Sequence, residues 1–64
     1  MKTFEIYRDV RGLWRWRLVA RNGRIVANGG EGYSSKGNVN RAIDEMQHIE
    51  TINANRVYLE GGEE

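Results

Sequence analysis

Leu13-Trp14-Arg15-Trp16-Arg17-Leu18-Val19-Ala20 is the stretch whose reading decides the fold. Eight residues of alternation resolve into two chemically different faces only if the backbone is extended. Trp14, Trp16, Leu18 and Ala20 then share one face, and Leu13, Arg15, Arg17 and Val19 share the other. The tryptophan face is the expected core and the arginine face the expected surface.

The flanking residues fit around that strand. Residues 3–8 (Thr-Phe-Glu-Ile-Tyr-Arg) alternate as a first strand, and Asp9-Val10-Arg11-Gly12 carries turn chemistry. Residues that face each other across a hairpin lie on one side of the sheet. Phe4 and Ile6 therefore join the tryptophan face if Phe4 opposes Leu18 and Ile6 opposes Trp16. That register sets Glu5 against Arg17 and Tyr7 against Arg15, so that Arg17 meets a carboxylate and Arg15 has an aromatic ring to lie on. Beyond Ala20, Asn22-Gly23 signals a two-residue type I′ hairpin turn. A third strand over residues 24–28 follows, with Ala20 facing Ile25, Leu18 facing Ala27 and Val19 facing Val26. The outward side of these strands collects Tyr7, Arg15, Arg17, Val19 and Val26, less polar than a solvated face needs to be, and is a candidate contact surface.

Gly29-Gly30-Glu31-Gly32-Tyr33 breaks the sheet. Ser34 or Ser35 then caps a helix whose apolar positions, Val39, Ala42, Ile43, Met46 and Ile49, recur at helical spacing. Arg41, Asp44, Glu45 and His48 fall on its solvent side, and the stripe is expected to cover the tryptophan face. Residues 56–60 read as a fourth strand with Val57 and Leu59 on one side. The expected organisation is one α+β domain over residues 1–60, a β-β-β-α-β unit with an antiparallel sheet and one helix packed on one face. Residues 61–64 form an acidic tail expected to be disordered.

A 64-residue chain is small for a self-sufficient core. Without cysteine it has no disulfide framework or thiolate metal site, and its single His48 reads as a solvated side chain. No metal and no cofactor are expected, which leaves oligomerisation as the means of support. No apolar run is long enough to span a membrane and the first residues lack the apolar core of a signal peptide, so a cytoplasmic location without membrane contact is expected.

Charge is distributed unevenly. Residues 1–30 hold seven Lys/Arg against Glu5 and Asp9, while residues 31–64 hold three against seven acids. The simpler reading is that the halves neutralise each other; the alternative is a weak nucleic-acid binder using Arg8, Arg11, Arg15, Arg17, Arg21 and Arg24. Trp14 and Trp16 would suit base stacking, but the helix needs the same face. Gly30-Glu31-Gly32 lacks the third glycine of a dinucleotide fingerprint, and Lys36-Gly37 is not a phosphate loop. A helix N-terminus with Ser34, Ser35 and Lys36 is a candidate anion site, with plain helix capping as the simpler account. Glu5, Asp9, Glu31, Asp44 and Glu45 are scattered over different elements, so no enzyme activity and no catalytic residue is expected.

Phe4-Glu5-Ile6-Tyr7, Trp14-Arg15-Trp16-Arg17-Leu18, Asn22-Gly23, Glu31-Gly32-Tyr33 and Ser35-Lys36 together resemble, in order and spacing, the YegP-like family of small domains of unknown function. The resemblance covers roughly residues 3 to 50. It implies a β-β-β-α-β unit present as a tandem repeat or as a homodimer, with units joined in one continuous sheet and their last strands exchanged. One copy here implies the dimer. It brings no catalytic residues. Exchange of residues 56–60 also has a geometric motive, since residues 51–55 could carry the chain out of its own unit and an added strand covers a sheet edge. The expected function is a non-enzymatic interaction or structural module whose partner is a second copy of itself and, through the candidate contact surface, another protein.

Overall fold

The alternating segments are strands and the 3.6-residue pattern is a helix. In the computed structural model, which describes residues 2–50 and 52–59, these are β1 (Lys2–Arg8), β2 (Trp14–Val19), β3 (Ile25–Asn28), α1 (Lys36–Glu50) and β4 (Ala54–Tyr58). The four strands form one sheet in the order β3-β2-β1-β4. The expected tail over residues 61–64 lies outside the described residues.

β1 and β2 pair antiparallel in the expected register, with Phe4 opposite Leu18, Glu5 opposite Arg17, Ile6 opposite Trp16 and Tyr7 opposite Arg15. The core follows from that register. Phe4, Ile6, Trp16 and Leu18 are buried on one face beneath Val39 and Ile43 of α1. Phe4 and Trp16 meet edge to face, with ring centroids 5.6 Å apart, the arrangement that the aromatic quadrupole favours. Ser35 caps α1: its hydroxyl accepts from the Asn38 N–H at 3.1 Å, which satisfies one of the helix's free amide donors.

Both hairpins use the same turn. The Gly12 N–H donates to Asp9 O and the Gly23 N–H to Ala20 O, each at 2.9 Å. Gly12 (φ 83°) and Gly23 (φ 88°) both sit in the left-handed region, where a side chain would be strained. An aspartate or asparagine then clamps the loop. Asp9 Oδ1 accepts from the N–H groups of Arg11 and Leu13, and Asn22 Oδ1 from that of Arg24. The second hairpin therefore has a three-residue loop, Arg21 to Gly23, closed by the Ala20 N–H donating to Arg24 O, rather than the expected two-residue type I′ turn. The extra residue must be absorbed. A register shift between Leu18 and Val19 does so: Leu18 faces Ala27 as expected, but Val19 faces Ile25 instead of Val26.

Asp9 illustrates how a turn couples stability to pH. The Leu13 N–H, foremost, holds its carboxyl below the usual carboxylate range; burial, next in size, opposes it, and the Arg11 N–H and the Arg15 guanidinium lower it further. A carboxyl with a depressed folded pKa contributes stability above its unfolded pKa, about 3.9, and loses it as pH falls through the lower folded value. Asp9→Asn should lower the melting temperature near neutral pH and flatten its fall below about pH 4; unchanged acid sensitivity in that variant would show that Asp9 does not contribute.

The sheet is mixed, which corrects the antiparallel expectation. β4 pairs parallel with β1, placing Arg56 opposite Phe4 and Val57 opposite Glu5. This register turns Arg56 toward α1 and Val57 outward, 44% exposed, onto the face opposite the helix. The flank of α1 explains the preference. Arg56 Nη1 donates to Asn40 Oδ1 at 2.9 Å, and Nη2 donates to Asp44 Oδ1 and Gln47 Oε1 at 2.5 and 2.6 Å. Asn40 Nδ2 donates to the Tyr58 hydroxyl at 2.9 Å. A planar guanidinium with five donors suits three acceptors presented along one helix side. Ile49, expected in the apolar stripe, is 73% exposed. It lies beyond the core contacts of the helix, which run from the buried Val39 and Ile43 to the partly buried Met46.

Candidate interaction surface

The side of the sheet opposite α1 carries no covering layer among the described residues. The pairing places Thr3, Glu5 and Tyr7 of β1, Arg15, Arg17 and Val19 of β2, Ile25 of β3 and Val57 of β4 on it. Four of the five residues of the candidate contact surface, Tyr7, Arg15, Arg17 and Val19, therefore share a face. Val26 sits at the register shift, and Ile25, 51% exposed, is the apolar neighbour of Val19 there. Sequence reasoning missed Ile25 and Val57, since one depends on the bulge and the other on the parallel register.

The arginines of this face are paired. Arg17 Nε donates to Glu5 Oε1 at 2.7 Å, and Arg15 Nη1 donates to Asp9 Oδ2 at 3.1 Å. Arg17 also lies over the Tyr7 ring, 5.0 Å from its centroid. The expectation that Arg15 takes that ring is corrected: the Asp9 carboxylate in the turn draws Arg15 away from it. Arg15 Nε is buried with no hydrogen-bond partner among the described residues. With apolar groups set between neutralised ion pairs, the face can contact another surface without stranding two isolated charges. Arg8 is engaged with Gly12 O and lies over Trp14, while Arg11, Arg21 and Arg24 occupy turns.

At the helix N-terminus, Ser34, Ser35 and Lys36 are all exposed. The Ser35 hydroxyl is occupied by the cap, and the Ser34 hydroxyl accepts from Asn38 Nδ2 at 3.4 Å. Lys36 Nζ lies over two rings, 4.6 Å from the Tyr58 centroid and 5.7 Å from that of Trp14. Its charge is thus shared with aromatic faces.

A second surface opens on the α1 side. A groove of about 550 Å³ runs between α1 and the chain leaving β3, lined by Trp16, Gly29, Tyr33, Ala42, Met46 and Ile49, with Glu31 and Glu45 also contributing. Gly29 allows this close passage, since a Cβ there would fall 2.8 Å from Trp16 Cε2. Tyr33 is tied to β2 by reciprocal backbone bonds with Trp14 of 2.7 and 2.9 Å. Burial, foremost, and then the nearby Glu31 and Glu45 carboxylates push its hydroxyl pKa up. Among the described residues, no group of three or more His, Asp or Glu side chains converges as a metal site would require, and no helix is long and apolar enough to cross a membrane.

Comparison with known proteins gives relatives but no assigned activity. The family described as "Domain of unknown function (DUF1508)" matches residues 9–52. UPF0339 protein NMB1088 of Neisseria meningitidis serogroup B is 56% identical over 41 residues, which is 64% of this chain and 71% of that protein. UPF0339 protein NMA1193/NMA1859 of Neisseria meningitidis serogroup A matches with the same identity and coverage. No solved structure gives a significant match.

Proposed function

The chain belongs to the YegP-like family of domains of unknown function, DUF1508, and from that premise we propose that it is a non-enzymatic interaction module that works as a homodimer. The observation that carries this reading is the imbalance between core and sheet. Among the described residues, six buried side chains lie on one side of a four-stranded sheet, and the other side carries Tyr7, Val19, Ile25 and Val57 with no layer over them. A sheet with one such face gains stability when a second surface covers it or when its edges are extended.

Two copies join by exchanging β4. β4 reaches its own β1 across only three residues after Glu50, and short hinges of this kind are the ones across which an identical element exchanges between copies. β4 also depends little on apolar burial: Val57 and Tyr58 are both 44% exposed. Its anchors are backbone pairing with β1 and the contacts of Arg56 to Asn40, Asp44 and Gln47. The same anchors form equally well with a partner's β1 and α1. The outer face is then left for another protein.

The nucleic-acid alternative draws less support, because Arg15 and Arg17 are paired to Asp9 and Glu5 and the net charge is only +1. A phosphate-binding surface would lose affinity steeply with salt through counterion release.

Light scattering should give twice the 7.4 kDa chain mass at micromolar concentration, and the melting temperature should rise with protein concentration, as linkage to association demands. A monomer mass with a concentration-independent melt would refute the dimer.

A further inference from the structure

One helix cannot cover this sheet. Strands spaced about 4.8 Å apart make a four-stranded sheet wider than a helix of about 10–12 Å diameter. Asn40, Asp44 and Gln47 bring α1 to the β4 side through Arg56. The β3 side is left uncovered, and there Ala42, Glu45, Met46 and Ile49 of α1 face Trp16, Gly29 and Tyr33 across the groove. β3 is also an edge strand, paired to β2 alone, and all four of its residues are exposed.

An edge strand beside a groove that a helix walls on its far side is the arrangement in which an extended peptide adds to a sheet, its backbone pairing with the edge and alternate side chains entering the groove. The floor here is apolar: Trp16, Ala42 and Met46 contribute to it. Glu31 and Glu45 flank it, and neither is in an ion pair among the described residues; Glu31 accepts from the Tyr33 hydroxyl. Both carboxylates, after burial, raise the pKa of the nearby Tyr33 hydroxyl. A side chain suited to this setting has an apolar stem and a cationic head, which is lysine or arginine. Arg41 and Asn38 line the adjoining pocket together with Glu31, Tyr33 and Glu45, so two carboxylates face one guanidinium there and the balance still favours an added cation on the Met46 side.

We propose that the groove between α1 and the chain leaving β3 binds an extended segment of a partner protein, which adds as a strand to the β3 edge and places a lysine or arginine side chain beside Glu31 and Glu45. This inference goes beyond the homodimer and does not depend on it, since β4 and the Arg56 contacts lie on the opposite side of α1. The juxtaposition of a free edge, an apolar floor and two carboxylates outside any ion pair carries it.

The probe is an acetylated, amidated heptapeptide alternating valine and lysine, compared with the same peptide carrying glutamate for lysine. Titrations are followed by tryptophan fluorescence and by the amide resonances of residues 25–28. The expected result is saturable binding of the lysine peptide, absent for the glutamate peptide, with shifts concentrated at residues 25–28. Affinity should fall by about tenfold or more in Glu31→Gln/Glu45→Gln, a loss of about 1.4 kcal/mol or more, and both residues are exposed enough for the variant to keep its fold. Equal affinity for both peptides, an unchanged affinity in the double variant, or shifts at Tyr7 and Val19 in place of residues 25–28 would overturn the proposal. So would edge amides already protected without peptide and released on dilution, because the occupant would then be a second copy. A monomer mass with peptide binding intact would refute the dimer and leave this site standing.

Discussion

Replacing Trp16 with alanine is expected to unfold the domain. Trp16 is 5% exposed and meets Phe4 edge to face, within a core of only six buried side chains. Removing a buried tryptophan costs about 3–5 kcal/mol through lost transfer energy and the cavity left behind, as much as a single core supplies to a domain of this size. Collapse cannot repair the site easily. Gly29 lies against the indole and has no side chain to move in, and Phe4 and Ile6 are held from below by the β1–β2 pairing. Thermal denaturation followed by circular dichroism should therefore lose its cooperative transition. A Trp16→Ala chain with a sharp melt near the parent's midpoint would mean that the tryptophan face is not the core.

What could be read from the chain beforehand divides along a physical line. The face of β1 is legible because the alternation of Trp14, Trp16 and Leu18 buries Phe4 and Ile6 in every even-numbered register and a slip of one residue would expose all of them, and pairing Glu5 with Arg17 selects the register observed. The cap at Ser35 and the solvated His48 were legible for a similar reason, since helical period and local hydrogen bonding decide both. Asn22-Gly23 marks a turn without fixing its length. The dipeptide fits the central positions of a type I′ turn, and it also fits the end of a three-residue loop with glycine in the left-handed position. Only the long-range pairing of Leu18 with Ala27 and Val19 with Ile25 distinguishes the two.

β4 was the harder case. Arg56, Val57, Tyr58 and Leu59 alternate weakly, and apolar preference alone assigns Val57 to the core. The deciding interactions are polar and distant in sequence: Arg56 finds Asn40 sixteen residues earlier, Asp44 twelve and Gln47 nine. A hydrophobic pattern carries no record of such a network. The β3–α1 groove escaped notice for a related reason. Met46 and Ile49 count as stripe residues in any helical projection, and only the width of the sheet relative to one helix reveals that they overhang its β3 side.

Deleting residues 55–64 tests how two copies are joined, and its expected effect is the loss of dimer and cooperative fold together. The deletion keeps Ala54, which packs against the core, and removes Arg56. Asn40, Asp44 and Gln47 then lose a shared donor, and the β1 edge beside Phe4 and Ile6 loses its strand. Stranded polar groups and an open edge both weigh against the folded state. In the exchanged arrangement those same contacts hold the copies together, so mass and melt should fail in parallel. Pairing through the outer face of Tyr7, Val19 and Ile25 predicts instead a weakened domain that still associates. A second variant separates exchange from simple loss of stability: a flexible insertion between Ile52 and Asn53 lets β4 return to its own β1 while every β4 contact is kept. Exchange predicts that this longer hinge yields a folded monomer by light scattering. A lengthened chain that stayed dimeric, or a truncated one that stayed dimeric and well folded, would rule exchange out and leave the uncovered sheet face as the contact between copies.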